Sequence, residues 1–164
     1  PEPVPAVVAA FLEQQAAFSD YAVPANVSYA MPQLPFAYTV PVTGMTSSGF
    51  GYRLHPLLDE VKFHYGTDFA AYTGTQIHAF ADGTVLACGK SDSYGNYIMI
   101  DHGNGYQSLY AHCSEVLVSW GEHVARGQVI GAVGATGHVT GPHLHFELLH
   151  DDTYLNPEFY LEGA

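Results

Sequence analysis

The sequence predicts a mainly β protein, a small antiparallel β-barrel or sandwich that follows a short N-terminal helix. Short β-rich runs broken by glycine begin near residue 39 and continue toward the C-terminus. Two hairpin turn signals, Asp82-Gly83 and His102-Gly103-Asn104-Gly105, separate some of these runs. After the first segment no stretch has a helical apolar period. Strands this short and this evenly spaced favour an antiparallel barrel or sandwich.

Residues 1–40 are predicted to form a helix and a connector, and residues 41–164 the β-rich domain. Residues 5–20 are rich in alanine and begin with proline, a composition that predicts a helix. The stretch 21–42 carries four prolines and scattered aromatic residues. Because proline disfavours helices and central strands, we expect an extended connector that lies on the domain rather than a packed element.

Six runs in the second segment are predicted as strands, since short β-rich runs of this kind are bounded by turn residues. The glycine-rich stretch 131–137 lacks the Gly-Lys-Ser/Thr ending of a phosphate-binding loop. We expect it to let the backbone pass close to the strand that carries His143. The predicted strands are 76–81, 84–88, 97–101, 106–112, 128–133 and 143–149.

The charge balance excludes whole classes of partner. The 164 residues carry four Lys or Arg against sixteen Asp or Glu, a net charge of −12. Nucleic-acid binding needs basic side chains to neutralise phosphates, so no nucleic-acid partner is expected. Electrostatic retention on an anionic membrane or cell wall is disfavoured for the same reason. The ten histidines outnumber the basic residues, so the polar chemistry of the chain lies in imidazole and carboxylate groups.

The chain has no run of about 18 apolar residues, so the sequence predicts no membrane span. It begins at Pro1 without a basic-then-apolar leader. We therefore expect a mature fragment of an extracytoplasmic protein, secreted or held in the cell envelope or periplasm, whose signal peptide has been removed.

The two cysteines, Cys88 and Cys113, are predicted to be small buried hydrophobic residues. A single disulfide between them stays open for an exported protein. Cys113 is disfavoured as a metal ligand, because on a strand it points opposite to His112.

The segment Gly141-Pro142-His143-Leu144-His145-Phe146-Glu147 is the strongest indication of chemistry in the chain. Alternate residues of a strand face the same side, so His143, His145 and Glu147 share one face. Three protein ligands and one open position are the pattern of a catalytic zinc site. On the residues alone, these three form one candidate ligand set, and Glu147 is also a candidate general base.

His64 and Asp68 offer two further donors of the kind that Zn²⁺ takes. On a straight strand they would be about 13 Å apart, so both can bind one ion only if the chain bends. Gly66 lies between them and permits such a bend. His112, at the end of the predicted strand 106–112, is a candidate proton acceptor, because a metal hydrolase needs a group that takes a proton from water.

Together these motifs resemble the lysostaphin-type (LytM-like) zinc metallopeptidases, which cut peptidoglycan peptides. The resemblance runs from about Ser48 to Tyr160 and includes many matches in the same order. The matching motifs are Gly49-Phe50-Gly51-Tyr52-Arg53-Leu54-His55-Pro56, Phe63-His64-Tyr65-Gly66-Thr67-Asp68, Ala81-Asp82-Gly83-Thr84-Val85, Tyr94-Gly95-Asn96-Tyr97, Leu109-Tyr110-Ala111-His112, Gly127-Gln128-Val129-Ile130-Gly131, Gly134-Ala135-Thr136-Gly137 and Thr140-Gly141-Pro142-His143-Leu144-His145-Phe146-Glu147.

The resemblance implies a fold of the lysostaphin-type peptidase kind and a role for each site residue. It implies that His64, Asp68 and His145 bind Zn²⁺. It also implies that His112 and His143 flank the catalytic water, one of them as general base, and that Glu147 has a supporting or structural role.

Two positions bear on the substrate. Arg53 is the cation near the motifs that can meet a substrate carboxylate, and a structural salt bridge is its alternative role. Leu58 stands where lysostaphin-like members carry a tyrosine, six residues before the first zinc histidine.

We therefore expect a zinc-dependent endopeptidase that hydrolyses peptide bonds in peptidoglycan, with stem-peptide crosslinks favoured over glycine bridges. The alternative is a non-catalytic domain of the same fold that binds cell-wall peptides or regulates another hydrolase. All five site positions are present, which favours catalysis. Residues 1–40 are a candidate docking segment for a regulatory or targeting partner.

Overall fold

A computed structural model describes residues 4–55 and 57–161. Residues 1–3 of the predicted N-terminal segment, Pro56 of the first motif and residues 162–164 of the predicted domain therefore lie outside the described residues. The mainly β, antiparallel architecture confirms the predicted fold class. Ten strands form one sheet and two form a separate hairpin. The helical elements are α1 (Ala6–Gln15) and the 3₁₀ helices Ala16–Phe18 and Pro157–Tyr160. The strands are β1 (Met45–Ser48), β2 (Gly51–His55), β3 (Glu60–His64), β4 (Thr67–Ala70), β5 (Gln76–His78), β6 (Gly83–Ser91), β7 (Gly95–Gly103), β8 (Tyr106–Val116), β9 (His123–Val124), β10 (Val129–Val133), β11 (His143–His150) and β12 (Thr153–Leu155).

Strand β8 changes partner halfway along one of its edges. The main sheet runs in the order β1-β4-β11-β8-β7-β6-β9. As far as Ala111, β8 pairs with β11, and from Cys113 onward it pairs with β10. His112 lies between these two registers and has a positive φ of 66°. Against β7, two residues of β8, Ala111 and His112, face the single residue Tyr97. This extra residue forms a β-bulge, a feature that bends a strand and re-aims a side chain.

The two predicted turns have different outcomes. Strands β7 and β8 form a hairpin across Asn104-Gly105, and both turn residues have positive φ, so the prediction at this turn is confirmed. The hairpin predicted at Asp82-Gly83 is wrong, because β5 pairs with β10 and not with β6. The amino acids at a turn report local backbone preference, whereas the partner of the preceding strand depends on residues about 50 positions away.

The N-terminal segment is part of the same hydrophobic core as the sheet. Val8 and Phe11 on α1 are buried, and Phe11 makes an edge-to-face contact with Phe159 at 5.6 Å. The connector 21–42 contains no helix or strand, and Val27 and Leu34 are buried in the core, which corrects the expectation that it is not a packed element. Among the described residues no helix has the length and apolar character needed to cross a membrane.

Gln15, at the end of α1, joins the N-terminal segment to the β2–β3 hairpin. Its side-chain Oε1 accepts a hydrogen bond from the Tyr52 backbone N–H at 2.9 Å, and its Nε2 donates to the Tyr52 carbonyl at 3.2 Å. On the same side of the hairpin, Phe63 packs edge-to-face on Tyr52 at 4.8 Å. The helix therefore supports one face of the hairpin whose last residue is His64.

Both cysteines of the chain are free. Cys113 is fully buried, and its Sγ lies 3.7 Å from the Tyr110 carbonyl oxygen. Burial raises the pKa of the Cys113 thiol, so it remains protonated. Cys113 fits the prediction of a small buried cysteine, whereas Cys88 is only partly buried.

Candidate active site

Strands β3, β4 and β11 bring His64, Asp68 and His145 together. Asp68 and His145 are direct partners in the β4–β11 ladder, so their side chains lie side by side. The Asp68 Oδ1 lies 2.7 Å from His145 Nδ1 and 3.4 Å from His64 Nε2. One donor atom from each residue falls within 4.8 Å of the others. The predicted bend between His64 and Asp68 is confirmed, because β3 ends at His64 and β4 begins at Thr67.

Gly66 lies at this bend for a steric reason. A Cβ at this position would lie 2.5 Å from the Phe146 carbonyl oxygen, 2.8 Å from His145 Cε1 and 2.9 Å from Glu147 Cγ. Real Cβ atoms do not approach other atoms so closely, so only glycine lets the chain cross β11 here. The absence of a side chain therefore brings His64 and Asp68 within reach of His145.

The donor set fits a zinc ion. Two imidazoles and one carboxylate are ligands of the kind that Zn²⁺ takes, and ligands of one tetrahedral ion lie about 3.3 Å apart. The 3.4 Å between His64 Nε2 and Asp68 Oδ1 is close to that spacing, whereas Asp68 Oδ1 and His145 Nδ1, at 2.7 Å, are at hydrogen-bonding distance. His64 Nδ1 donates to the Gly49 carbonyl at 2.8 Å, so its Nε2 lone pair faces Asp68. These three side chains can hold a metal ion.

Contacts within the cluster shift the pKa values of Asp68 and His145. Burial opposes ionisation of Asp68, but hydrogen bonds from His145 and His64 outweigh it and hold the pKa of that carboxyl well below its usual range. Burial likewise disfavours a charged His145, yet its hydrogen bonds to Asp68 and Glu147 prevail and raise the pKa of His145 to about 9. In the absence of an ion, His145 is therefore an imidazolium between two carboxylates.

His112 and His143 lie next to the cluster but outside it. Their ring centroids are 4.8 Å apart, and His143 Nε2 lies 3.9 Å from Asp68 Oδ1. His112 Nδ1 donates to the Thr136 carbonyl at 2.8 Å, and His143 Nδ1 donates to the Gly141 carbonyl at 3.0 Å. A carbonyl can only accept, so each Nδ1 carries the proton and each Nε2 keeps a lone pair for chemistry.

The environment favours a neutral His112. Burial lowers the pKa of His112, and repulsion from His143 and His145 lowers it further, whereas the hydrogen bond to Thr136 acts in the opposite direction. An imidazole that stays neutral at physiological pH can accept a proton. The bulge in β8 places the His112 side chain at the site. The alternation of a regular strand does not predict this placement.

Glu147 shares the face of His143 and His145, as predicted, but it lies on the far side of the metal-ligand cluster. Its side chain is only 5% exposed, and its Oε2 lies 2.8 Å from His145 Nε2. The candidate metal group contains His64 and Asp68 together with His145, instead of the set His143, His145 and Glu147 that the strand pattern left open.

Arg53 and Leu58 lie on the β2–β3 hairpin. Arg53 is exposed and pairs across the hairpin with Lys62, two residues before His64, so strand alternation puts it on the His64 face. Within the described ranges, Arg53 forms no ion pair, so its alternative role as a structural salt bridge is not observed. Leu58 is 54% exposed in the turn between β2 and β3.

Sequence patterns alone did not assign a role to Tyr94, which touches both halves of the site. Its hydroxyl donates to Glu147 Oε2 at 2.8 Å, and its backbone carbonyl accepts from the His112 N–H at 2.7 Å. Tyr94 belongs to the motif Tyr94-Gly95-Asn96-Tyr97 in the sequence, but only the structure shows which residues it contacts.

Comparison with known proteins relates this site to peptidases. The sequence profile of peptidase family M23 matches residues 62–157. Over 97 residues the chain is 50% identical to the peptidoglycan DD-endopeptidase ShyA of Vibrio cholerae, covering 59% of this chain and 23% of that protein. The chain spans about a quarter of the length of the curated relatives it matches.

Two solved structures share the fold. A zinc-containing peptidase from Vibrio cholerae superimposes with a TM-score of 0.69 at 40% identity, covering 73% of this chain and 39% of that one. The catalytic domain of lysostaphin from Staphylococcus simulans superimposes with a TM-score of 0.64 at 32% identity, covering 73% of this chain and 93% of that domain.

Proposed function

Because the chain belongs to peptidase family M23, we propose that it is a zinc-dependent endopeptidase that hydrolyses peptide bonds in peptidoglycan. The observation that carries the proposal is the metal-ligand cluster of His64, Asp68 and His145 with the pair His112 and His143 beside it. Three protein ligands next to two imidazoles with free Nε2 atoms are the parts that metal-assisted hydrolysis of a peptide bond requires.

Each of the three ligand residues would offer one atom to the metal. His64 would hold zinc through Nε2, Asp68 through Oδ1 and His145 through Nδ1, since these are the atoms that face one another. A zinc ion held there would polarise the scissile carbonyl and lower the pKa of a bound water. Asp68 supplies the negative charge that the two neutral imidazoles lack.

His112 and His143 would move the protons. Each has a proton on Nδ1 that is fixed by a backbone carbonyl, so each presents Nε2 to the substrate side. One accepts the proton of the attacking water, and the other stabilises the developing oxyanion or donates a proton to the leaving amine. Their separation of 4.8 Å allows both to act on one peptide group.

An apolar groove beside the site favours substrate peptides with aliphatic side chains over glycine bridges. A cavity of about 480 Å³ is lined by Met45, Ala70, Ala71, Tyr72 and Pro142. It adjoins the site, since Ala70 is the strand partner of His143. Methyl groups such as those of alanine gain from burial there, whereas glycine has none to bury. Arg53 would meet a carboxylate of the same stem peptide.

Location and partners follow from the substrate. An enzyme that cuts peptidoglycan works outside the cytoplasm, in the envelope, the periplasm or the medium. Residues 1–40 stay a predicted docking segment for a regulatory or targeting partner. Because Val8, Phe11 and Leu34 are buried in the core, such a partner would have to use the exposed side of this segment.

Digestion of purified sacculi tests the proposal. Metal analysis of the protein should find about one zinc per chain, and mass spectrometry should show new amine termini at crosslinks between stem peptides. The variant Asp68→Ala should release nothing, and pentaglycine should be a poor substrate. Binding to sacculi without new amine termini would support the non-catalytic alternative instead.

A further inference from the structure

Glu147 is a buried carboxylate that the proposed chemistry does not use. Its side chain is 5% exposed, and its Oε2 contacts both the Tyr94 hydroxyl and His145 Nε2 at 2.8 Å. Burying a carboxylate is costly unless it is fully hydrogen-bonded. Both of these partners belong to the site, so the hydrogen bonds that offset the cost of this burial lie within the site.

These contacts decide which nitrogen His145 offers to a metal. An imidazole can bind zinc through Nδ1 or Nε2, and the hydrogen bond at the other nitrogen selects between them. Glu147 accepts from Nε2, which leaves Nδ1 facing Asp68 at 2.7 Å. Without an acceptor at Nε2, the ring of His145 would lose the contact that orients it and determines its tautomer.

Tyr94 links this anchor to the proton-transfer side of the site. Its ring lies over that of His145, with an interplanar angle of 25° and a centroid distance of 6.0 Å. Its backbone carbonyl accepts a hydrogen bond from the His112 N–H at 2.7 Å, at the bulge of β8 where φ is positive. One residue therefore contacts Glu147, His145 and His112.

The neighbouring glycine makes this position of Tyr94 attainable. A Cβ on Gly95 would lie 2.3 Å from the Thr136 carbonyl carbon. Thr136 is the residue whose carbonyl accepts from His112 Nδ1. Gly95 therefore packs directly against Thr136, the residue whose carbonyl orients the His112 ring.

We propose that Glu147 and Tyr94 are positioning residues: Glu147 selects Nδ1 of His145 as the metal-binding nitrogen, and Tyr94 holds both that carboxylate and the His112 backbone in place. The proposal rests on the proposed function, since it requires His145 to bind zinc. It assigns Glu147 no contact with substrate, in agreement with its burial behind His145.

Three variants test the proposal by zinc affinity and by the ring nitrogens of His145. Glu147→Ala should weaken zinc binding by about 10- to 100-fold, the usual effect of removing such an outer partner. Glu147→Gln keeps an oxygen that can accept from Nε2, so it should restore most of the affinity. Tyr94→Phe removes one hydroxyl and should give a smaller loss. In zinc-loaded wild type, ¹⁵N NMR of histidine should show zinc on His145 Nδ1 and a proton on Nε2.

Tyr110→Phe is the matched control for Tyr94→Phe. Tyr110 is fully buried, and its hydroxyl contacts Ser108 and the Phe80 N–H, away from Glu147. This control should lower the unfolding temperature yet leave zinc affinity unchanged. A structural role for Tyr94 alone would make the two variants behave alike.

Several results would overturn the proposal. Zinc affinity within twofold of wild type in Glu147→Ala, with His145 still bound through Nδ1, would do so. If Glu147→Ala does not fold, zinc affinity in Tyr94→Phe as unchanged as in Tyr110→Phe would do so, and zinc on Nε2 of wild-type His145 would do so in any case. Wild-type protein that binds no zinc would remove the proposed function as well, so the two failures are distinguishable.

Discussion

The rings of His112 and His143 lie 4.8 Å apart although neither belongs to the candidate metal group. We therefore expect His143→Ala to retain zinc and lose about 10²- to 10⁴-fold in rate, the usual contribution of a general acid or base. Asp68→Ala should lose both zinc and hydrolysis. Metal analysis and digestion of sacculi measure the two effects, with the exposed Asp92→Ala as control. Loss of zinc in His143→Ala would contradict the ligand assignment.

The pH dependence of hydrolysis should show the neutral state of His112. Burial lowers the pKa of His112 below the ordinary histidine pKa of about 6.5, so the ring is still mostly neutral at that pH. The acid limb that its protonation causes in kcat/KM should therefore lie below about pH 6.5. Stopped assays between pH 5 and 8, with zinc content measured at each pH, test this. A limb above pH 7 with zinc fully retained would show that His112 is not held neutral.

Gly66→Ala should disturb the metal site through a steric clash. The added methyl would lie 2.5 Å from the Phe146 carbonyl oxygen and 2.8 Å from His145. We expect a loss of about 1–3 kcal/mol in the free energy of unfolding, together with weaker zinc binding. Urea denaturation and zinc titration measure these changes. Gly89→Ala, where the nearest atom is 3.9 Å away, should have little effect on zinc binding. Wild-type zinc affinity in Gly66→Ala would contradict the close approach.

Metal-free protein should lose stability as the pH becomes alkaline. The pKa of His145 is raised to about 9 in the folded state, above its unfolded value near 6.5. Its contribution is therefore fully present below about pH 6.5 and is lost as the pH rises through about 9, at most about 3 kcal/mol in total. Urea denaturation of chelator-treated protein measures this loss.

The histidine variants assign that loss to one residue. His145→Asn should remove this part of the pH dependence, whereas the exposed His138→Asn should preserve it. An equal pH dependence in His145→Asn and wild type would show that another group is responsible.

Gln15→Ala should destabilise the fold although it lies far from the candidate metal group in sequence. The substitution removes two hydrogen bonds to the Tyr52 backbone and leaves a partly buried N–H and carbonyl without these partners. We expect a loss of about 1–3 kcal/mol. The neighbouring Gln14 is exposed, so Gln14→Ala is the control and should change stability little. Equal unfolding free energies for the two variants would argue against the role of Gln15.

Much of the β-rich part could be predicted because strand propensity and turn residues are local. The predicted run 143–149 closely matches β11, and the helix within 5–20 matches α1. Strand pairing is not local. The partner of β5 lies on β10, and the short strands β1 to β4 were not predicted from periodicity, since their stability comes from neighbours across the sheet.

The sequence by itself determined which side chains are available for chemistry: the two histidines of β11, the pair His64 and Asp68, and His112. Alternation along β11 also predicted that Glu147 shares their face. Only the tertiary structure decided which ring nitrogen each histidine leaves free. Backbone carbonyls of Gly49, Thr136 and Gly141 select the free nitrogen of three histidines, and Glu147 occupies the far nitrogen of the fourth. These contacts join residues that are distant in sequence or lie in loops, and a ring nitrogen has no preference until such a partner is within hydrogen-bonding distance.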